Sequence, residues 1–324
     1  MEFEQYGCSN WQQRAQIDTT TAMPDTREMT AQRVHSYWIT ASGREGSSGS
    51  AQACFPYWSF TKTVIAICAL KLIESGDLDL DAKLKDGPYT LRQLLKHTSG
   101  LPDYGQFSEY HSAVSAKEKP WARDRLLDVA LAKGMLFEPT QGWSYSNIGY
   151  MFVVEQIEAA LEKPLREVIA DMVCKPLCLE SIELAETREQ FQRVHWKAAT
   201  DYDPRWVYHG CLIGNPADAA RLLHALMTGH LLQPATMREM LDARVLGGAI
   251  LGRPWTECGY ALGLMSGAVK GAGKAIGHSG AGPFSVNAVY HFPDVSDPIT
   301  VASFADGNAE GIAEFAAKRI AEGT

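Results

Sequence analysis

The stretch FPYWSFTK at residues 55–62 contains the only serine in the chain that is followed three positions later by a lysine. An apolar pattern typical of a buried helix begins directly after it and ends at Gly76. In the first turn of a helix, Ser59 and Lys62 lie on one face, near the positive end of the helix dipole. An amine beside a hydroxyl in that position can make the serine nucleophilic. A capped and solvated helix start is the alternative interpretation of this pair.

Strands and helices are predicted in a definite order around this stretch. Residues 34–40 predict a strand, the glycine- and serine-rich residues 43–50 predict a loop, and residues 78–84 alternate with period two. Helical patterns follow at 91–96, 123–133, 147–162, 164–173, 216–228 and 233–242. Thr90 is the predicted cap of the first of these helices, and Asn215 that of the fifth. Short strands are then predicted at 260–265, 275–279, 285–292 and 299–304, and a last helix at 309–321.

This order predicts an α/β chain of the α+β type, in which an antiparallel sheet flanked by helices is interrupted by an all-helical second domain. The sheet domain would comprise residues 1–85 and 250–324, and the helical insert residues 86–249. An active site would lie in the cleft between the two domains. Residues 1–33 are polar and weakly patterned, and the sequence leaves their conformation and role open.

Composition and charge exclude several classes of protein. The 324 residues are 46% hydrophobic and 21% charged, which is enough for a substantial core. The net charge of −8 argues against a nucleic-acid partner, because such a partner calls for a basic face. Neither a secretory signal nor a membrane span is visible, so a cytoplasmic location is expected, or a periplasmic one if a leader had been removed. The seven scattered cysteines predict reduced, mostly buried thiols.

Two further motifs carry polar side chains that suit a catalytic site. Tyr145 and Asn147 form the only Tyr-x-Asn of the chain, at the start of a helix, where a phenol could act as a base and an amide could hold a carbonyl. Alternatively, Asn147 only caps that helix. His278-x-Gly280 follows a strand pattern, and its glycine would let a substrate lie close to the strand edge. The amide of Ala281 could then donate to an oxyanion.

The three motifs, in this order, resemble the set Ser-x-x-Lys, Tyr-x-Asn and Lys/His-x-Gly of the serine β-lactamase and penicillin-binding-protein superfamily. The likeness is strongest to its class C β-lactamase, DD-peptidase and esterase branch. Residues 91–102 (LRQLLKHTSGLP) and 145–150 (YSNIGY) add further matches, and the resemblance covers roughly residues 34–324. It implies a β-lactamase/transpeptidase-like fold and acyl transfer without a metal or another cofactor.

The resemblance also implies a role for each motif residue. Ser59 would attack the carbonyl carbon of a substrate, and Lys62 and Tyr145 would share the removal and relay of its proton. The amides of Ser59 and Ala281 would hold the oxyanion. The substrate would be fixed and lined by Asn147, His278 and Gly280.

Departures from the family pattern affect the expected substrate. Trp58 stands where the family commonly has a small residue, and it could narrow the cleft together with three further aromatic residues if these face the cleft and not the core: Tyr104, Trp143 and Trp255. His278 replaces a lysine, and a fixed cation suits a substrate carboxylate, so the replacement weakens the case for β-lactams. The short distance between the strand at 34–40 and Ser59 indicates an abbreviated sheet edge.

These observations predict a serine hydrolase that cleaves a small ester or amide through an acyl-enzyme on Ser59. An ester is the first expectation, because the leaving group of an ester needs less help from an acid catalyst than the leaving group of an amide. A β-lactamase or a D-amino-acid peptidase of the same fold stays open, as does a catalytically inactive binding or scaffold member. The expected partner is the small ester, amide or peptide substrate, and the sequence leaves the natural substrate and the oligomeric state open.

Overall fold

The computed structural model describes residues 34–85 and 87–323, which form two sheets and ten helices in these ranges. The strands are β1 (Val34–Thr40), β2 (Glu45–Ser48), β3 (Phe55–Pro56), β4 (Glu183–Ala185), β5 (Cys211–Gly214), β6 (Arg244–Gly247), β7 (Trp255–Tyr260), β8 (Met265–Val269), β9 (Gly273–Ala281), β10 (Ser285–Phe292) and β11 (Ile299–Asp306). The helices are α1 (Thr61–Ser75), α2 (Leu91–Leu95), α3 (Ser108–Ser115), α4 (Arg123–Leu131), α5 (Asn147–Leu161), α6 (Leu165–Ile169), α7 (Arg188–Phe191), α8 (Pro216–Met227), α9 (Pro234–Leu241) and α10 (Gly311–Glu322).

The large sheet has eight antiparallel strands in the order β2-β1-β11-β10-β9-β8-β7-β6. β1 joins the strands from the end of the chain by pairing with β11, with Val34 opposite Ala305 and Thr40 opposite Ile299. A small sheet, in the order β3-β5-β4, connects the segment before Ser59 to residues that are more than 120 positions away. The two sheets thus join the first described part of the chain, which leads to Ser59, to segments that lie far along the sequence.

Helices cover both faces of the large sheet. The hydroxyl of Tyr290 on β10 donates to Glu314 of α10 at 2.8 Å, whereas the amide of Asn287, also on β10, donates to the Tyr57 carbonyl on the other face at 2.9 Å. α8 packs on this second face, and α1 packs against α5 and α6 beside it. The Ser59 segment thus lies on the face opposite α10. In the described ranges, no helix is both long and apolar enough to cross a membrane.

The predicted fold class is confirmed, and most predicted elements are present. The strands predicted at 34–40 and 285–292 have the predicted bounds. Thr90 caps α2 through a hydrogen bond from the Gln93 amide at 3.3 Å, and Asn215 caps α8 through one from the Asp218 amide at 2.8 Å. The helix after Ser59 begins at residue 61 and ends at Gly76, which adopts the left-handed conformation typical of a helix end.

Predictions for three segments need correction. The predicted loop at 43–50 contains β2, whose Gly46 lies opposite Trp38; a Cβ there would meet the Trp38 ring at 2.2 Å, so glycine gives the indole room. The predicted strand at 260–265 is interrupted: Tyr260 ends β7, Met265 begins β8, and the residues between them form a turn in which Gly263 has φ +73°. Residues 78–84 form no strand and contribute only an isolated bridge to Thr90.

The predicted insert at 86–249 is not all helical. It contains β4 and β5 of the small sheet, as well as β6, which forms one edge of the large sheet. These strands are three or four residues long, too short for a period-two pattern to distinguish them from loops. The other edge of the large sheet is β2, also only four residues long.

Candidate active site

Ser59 lies in a 3₁₀ turn at residues 58–60 that leads directly into α1. Its neighbour Trp58 has a φ of 42°, an uncommon and strained conformation for a residue with a side chain. The turn is tied to the large sheet, because the Trp58 indole donates to Oγ of Ser285 at 3.0 Å. It is tied to the small sheet as well, because the amide of Tyr57 donates to the Leu212 carbonyl at 2.7 Å. The serine is therefore presented on a fixed backbone.

Two potential bases contact the Ser59 hydroxyl. Nζ of Lys62 is 3.2 Å from Oγ, and the Tyr145 hydroxyl is 2.9 Å from it. Lys62 is fully buried and the other two residues are 6–7% exposed. The predicted Ser-x-x-Lys pair and the tyrosine of the second motif thus meet at one point. In this low-dielectric setting, their hydrogen bonds and charges are stronger than they would be in water.

Aromatic rings and a histidine surround the lysine. Nζ of Lys62 is 5.0 Å from the ring centre of Tyr145 and 5.6 Å from that of Tyr150. The Tyr150 hydroxyl donates to the Leu95 carbonyl at 2.8 Å, and burial raises its pKa. Nε2 of His209 is 2.9 Å from Nζ of Lys62. His209 lies outside the three sequence motifs, although it contacts Lys62 directly.

The start of α5 positions Tyr145 and Asn147. Ser146, and not Asn147 as in the alternative interpretation, caps this helix: its Oγ accepts from the Gly149 amide at 3.1 Å. The Asn147 amide donates to Oδ1 of Asp103 at 2.9 Å, and only 7% of Asn147 is exposed. This segment therefore has its own anchors, independent of any substrate.

His97 supports the tyrosine from behind. Its Nδ1 accepts the Ser146 amide at 3.1 Å, and its ring centre is 4.3 Å from that of Tyr145 and 4.6 Å from that of Tyr260. His97 lies within the LRQLLKHTSGLP stretch, so a sequence signal existed at this position. Tyr260 has no comparable signal, because it ends a strand far along the chain.

β9 forms the opposite wall. The side chain of Ser279 bonds to Glu310 on the α10 face, and strand alternation turns His278 and Gly280 toward Ser59. A Cβ at Gly280 would lie 2.7 Å from the Ser59 nitrogen, which shows how closely the strand passes Ser59. Glycine is therefore required at position 280, because there is no room for a side chain.

His278 is held as a neutral imidazole. Its Nδ1 bonds to the Ser279 carbonyl, which can only accept, so the proton lies on Nδ1. Nε2 then accepts from the Tyr260 hydroxyl at 3.0 Å. Burial, and after it the charge of Lys62, lower the pKa of His278 to about 3. The wall formed by this residue carries no positive charge near neutral pH.

The Ala281 amide points to the open edge of β9. The Gly282 amide donates to the Ser285 carbonyl at 3.0 Å, and amides in an antiparallel ladder alternate in direction, so that of Ala281 points away from β10. On that side, β8 pairs with β9 only as far as Met265 opposite Gly277. The amide is thus available at the edge where β9 passes Ser59.

Comparison with known proteins agrees with this geometry. A profile of the family described as Beta-lactamase matches residues 29–324. The chain belongs to the β-lactamase family. This confirms the predicted resemblance.

Curated relatives of the chain carry several different names. A penicillin-binding protein of Bacillus subtilis (strain 168) is 30% identical over 159 residues, which cover 46% of this chain and 35% of that protein. Esterase EstB of Burkholderia gladioli is 31% identical over 140 residues, which cover 37% of this chain and 35% of the esterase. The chain thus spans about a third of the length of these two curated relatives.

A solved structure extends the likeness over nearly the whole fold. The D-amino acid amidase of Ochrobactrum anthropi SV3, complexed with L-phenylalanine amide, superposes with a TM-score of 0.75. The match covers 89% of this chain and 91% of the amidase, at 20% sequence identity. At this identity the likeness establishes a shared β-lactamase-family fold alone.

One of the four aromatic residues considered for a cleft entrance lies away from Ser59. Trp255 is wrongly placed in that prediction: it lies on the α10 face, where its indole donates to Glu314 at 2.9 Å. Trp58, Tyr104 and Trp143 are only 2–3% exposed, a burial like that of the motif residues, so their place at the entrance stays a prediction.

No group of three or more His, Cys, Asp or Glu side chains in residues 34–85 and 87–323 is arranged to hold a metal ion. The six cysteines in these ranges are free thiols, and four of them are buried. Burial raises the pKa of Cys68 and of Cys211 to about 12, so these two thiols stay protonated.

Proposed function

We propose that this protein is a serine hydrolase that cleaves a small ester through an acyl-enzyme on Ser59. The observation that carries the proposal is the contact of one buried hydroxyl with both a lysine amine at 3.2 Å and a tyrosine hydroxyl at 2.9 Å. Such a nucleophile, with two adjacent proton acceptors, has the arrangement that covalent catalysis needs. An inactive scaffold would have no need of these three side chains together in a buried site.

In the proposed first step, Oγ of Ser59 attacks the ester carbonyl carbon while its proton passes to the Lys62–Tyr145 pair. The amides of Ser59 and Ala281 bind the oxyanion that forms, and the side chain of Asn147 fixes the substrate. The pair then returns the proton to the alkoxide, which leaves as an alcohol. In the second step, water attacks the acyl group, the pair accepts a proton from the water, and the carboxylic acid is released as Ser59 regains its hydroxyl.

The wall formed by His278 favours an ester over a β-lactam. A lysine at this position would offer a fixed cation to a substrate carboxylate, whereas His278 is neutral and its Nε2 already accepts from Tyr260. A substrate with an uncharged acyl group has no carboxylate for such a cation to bind, so the replacement does not weaken its binding. A D-amino-acid amide or peptide is the second candidate, because the fold is shared with a D-amino acid amidase over 89% of the chain.

Covalent labelling tests the nucleophile. Incubation with a fluorophosphonate should add one adduct, seen by intact mass and located by peptide mapping on Ser59. The adduct should disappear in Ser59→Ala and persist in Ser75→Ala, which changes an exposed serine at the end of the same helix. Labelling that survives in folded Ser59→Ala, or a folded wild type that neither labels nor hydrolyses any ester, contradicts the proposal.

A substrate panel tests the ester assignment. Short-chain p-nitrophenyl esters should be turned over faster than nitrocefin or D-alanyl amides, as judged by kcat/KM. Faster turnover of nitrocefin would reject the ester assignment and leave the Ser59 mechanism in place. Faster turnover of the D-alanyl amides would support the second candidate instead.

A further inference from the structure

His209 lies beside the proposed catalytic lysine, although none of the three motifs includes it. Its Nε2 is 2.9 Å from Nζ of Lys62, and 2% of the residue is exposed. The same Nζ is 3.2 Å from Oγ of Ser59. The amine therefore contacts both an imidazole and the proposed nucleophile.

The turn that carries His209 is fixed by its neighbours. The Tyr208 amide donates to the Tyr104 hydroxyl at 3.2 Å, and the Tyr208 hydroxyl donates to the Trp121 carbonyl at 3.1 Å. Gly210, the next residue, has a φ of +90°, which favours glycine and sets the direction of the chain into β5. The imidazole thus has a defined place beside the lysine before any substrate binds.

An amine must be oriented as well as neutral before it can remove a proton from a serine hydroxyl. A neutral amine has one lone pair, which must point at the serine while its two N–H bonds point elsewhere. A neutral imidazole can accept one of these N–H bonds at Nε2. Away from water this hydrogen bond is strong enough to fix the rotation of the amine about its last carbon–nitrogen bond.

We propose that His209 is a positioning residue for Lys62. Its Nε2 accepts an N–H bond of the amine and thereby turns the amine lone pair toward Oγ of Ser59. No covalent bond forms or breaks at His209; the proton moves only between Ser59, the Lys62–Tyr145 pair and the leaving group. This inference rests on the proposed function, because the orientation of Lys62 affects a rate only if Ser59 is the nucleophile.

Two polar substitutions separate the role of the acceptor from that of the side-chain volume. The side-chain oxygen of His209→Gln reaches the place of Nε2, whereas that of His209→Asn reaches only the place of Nδ1. With a p-nitrophenyl ester, we expect the kcat of the glutamine variant to stay within about threefold of wild type. The kcat of the asparagine variant should fall by on the order of 10²-fold, the scale of a misplaced general base, while KM stays unchanged in both.

The matched control is His230→Gln, which makes the same replacement at an exposed histidine and should keep the wild-type kcat. If Ser59→Ala still turns over the ester, the proposed function fails. If turnover depends on Ser59 and both His209 variants keep the wild-type kcat, the positioning role is wrong. A glutamine variant that is folded by circular dichroism and still loses more than about tenfold in kcat overturns the positioning role on its own.

Discussion

At Gly280, a Cβ atom would lie 2.3 Å from Oδ1 of Asn287 and 2.7 Å from both the Ser59 nitrogen and Cβ of Trp58. Two of these three neighbours are backbone or backbone-adjacent atoms of the nucleophile turn, which cannot swing away as the end of a flexible side chain can. The turn is moreover held by Trp58 in a left-handed conformation. The close approach of strand and turn, and with it the spacing of the two proposed oxyanion amides, therefore depends on the absence of one methyl group.

Replacing Gly280 with alanine should lower catalysis and stability together, because strand and turn must separate. We expect the rate of Ser59 labelling by a fluorophosphonate to fall by on the order of 10²-fold, as a misplacement of about 1 Å can cost. The free energy of unfolding should fall by about 1–3 kcal/mol, the usual cost of overpacking. In the control Gly248→Ala, the nearest heavy atom is 3.8 Å away, and both quantities should be unchanged. A wild-type labelling rate in Gly280→Ala would contradict the close approach.

The sequence predicts some residues of this site and misses others for a physical reason. Ser59 and Lys62 are three apart on one helix, so local geometry alone brings them together. Tyr145 and His278 could be placed only through the resemblance to a family. His209 and Tyr260 were missed, because their contacts with Lys62 and His278 depend on how distant segments pack, which no local pattern encodes.

At the scale of elements, β9 is a strand with a polar side chain on each face. One face of β9 lies against Ser59. On the opposite face, Oγ of Ser279 accepts a hydrogen bond from Arg253 at 2.8 Å. Arg253 also forms ion pairs with Glu310 at 2.9 Å and with Glu314. Although burial disfavours its charge, the two carboxylates hold the pKa of Arg253 well above its ordinary value. This buried network fixes β9 to α10 from behind the active site.

Replacing Arg253 with methionine should destabilise the protein strongly, because it removes the cation between two carboxylates that are at most 12% exposed. Breaking a buried ion pair by removing one partner costs about 3–5 kcal/mol, and urea unfolding should show a loss on that scale. Arg92→Met is the matched control: its ion pairs with Asp81 and Glu239 are open to solvent, so the loss should be at most about 1 kcal/mol. Equal losses in the two variants would reject a structural role for the Arg253 network.

The predictability of the elements follows their length and composition. β10, with eight residues of mostly apolar character, has the bounds that its pattern predicts. The glycine and serines of β2 predict a loop, but the segment pairs with β1, where Gly46 leaves room for the Trp38 ring. Short strands that depend on a partner are therefore invisible to a method that considers one segment at a time.

At the scale of the whole molecule, one sheet and its helices bury groups that would be charged in water. Burial is the largest cause that lowers the pKa of His278 to about 3 and that of His291 to about 4. Both are strand residues of the large sheet, on β9 and β10, so their neutral state is a property of the folded sheet. An unfolded histidine titrates near pH 6.5, and the folded protein therefore binds fewer protons than the unfolded chain between about pH 3 and 6.5.

The sign of this difference predicts that acid weakens the fold. Where the unfolded chain binds more protons, stability rises with pH, so it must fall as pH drops through 6.5. For His278 alone, the loss at pH 5 is about 2 kcal/mol, at 1.36 kcal/mol for each unit below 6.5. The free energy of unfolding, measured with urea, should therefore fall less in His278→Gln than in wild type between pH 7 and pH 5. The difference should be about 2 kcal/mol. His230→Gln, which changes an exposed histidine, should show the wild-type drop. If His278→Gln loses as much stability as wild type over this range, His278 is not held neutral by the fold.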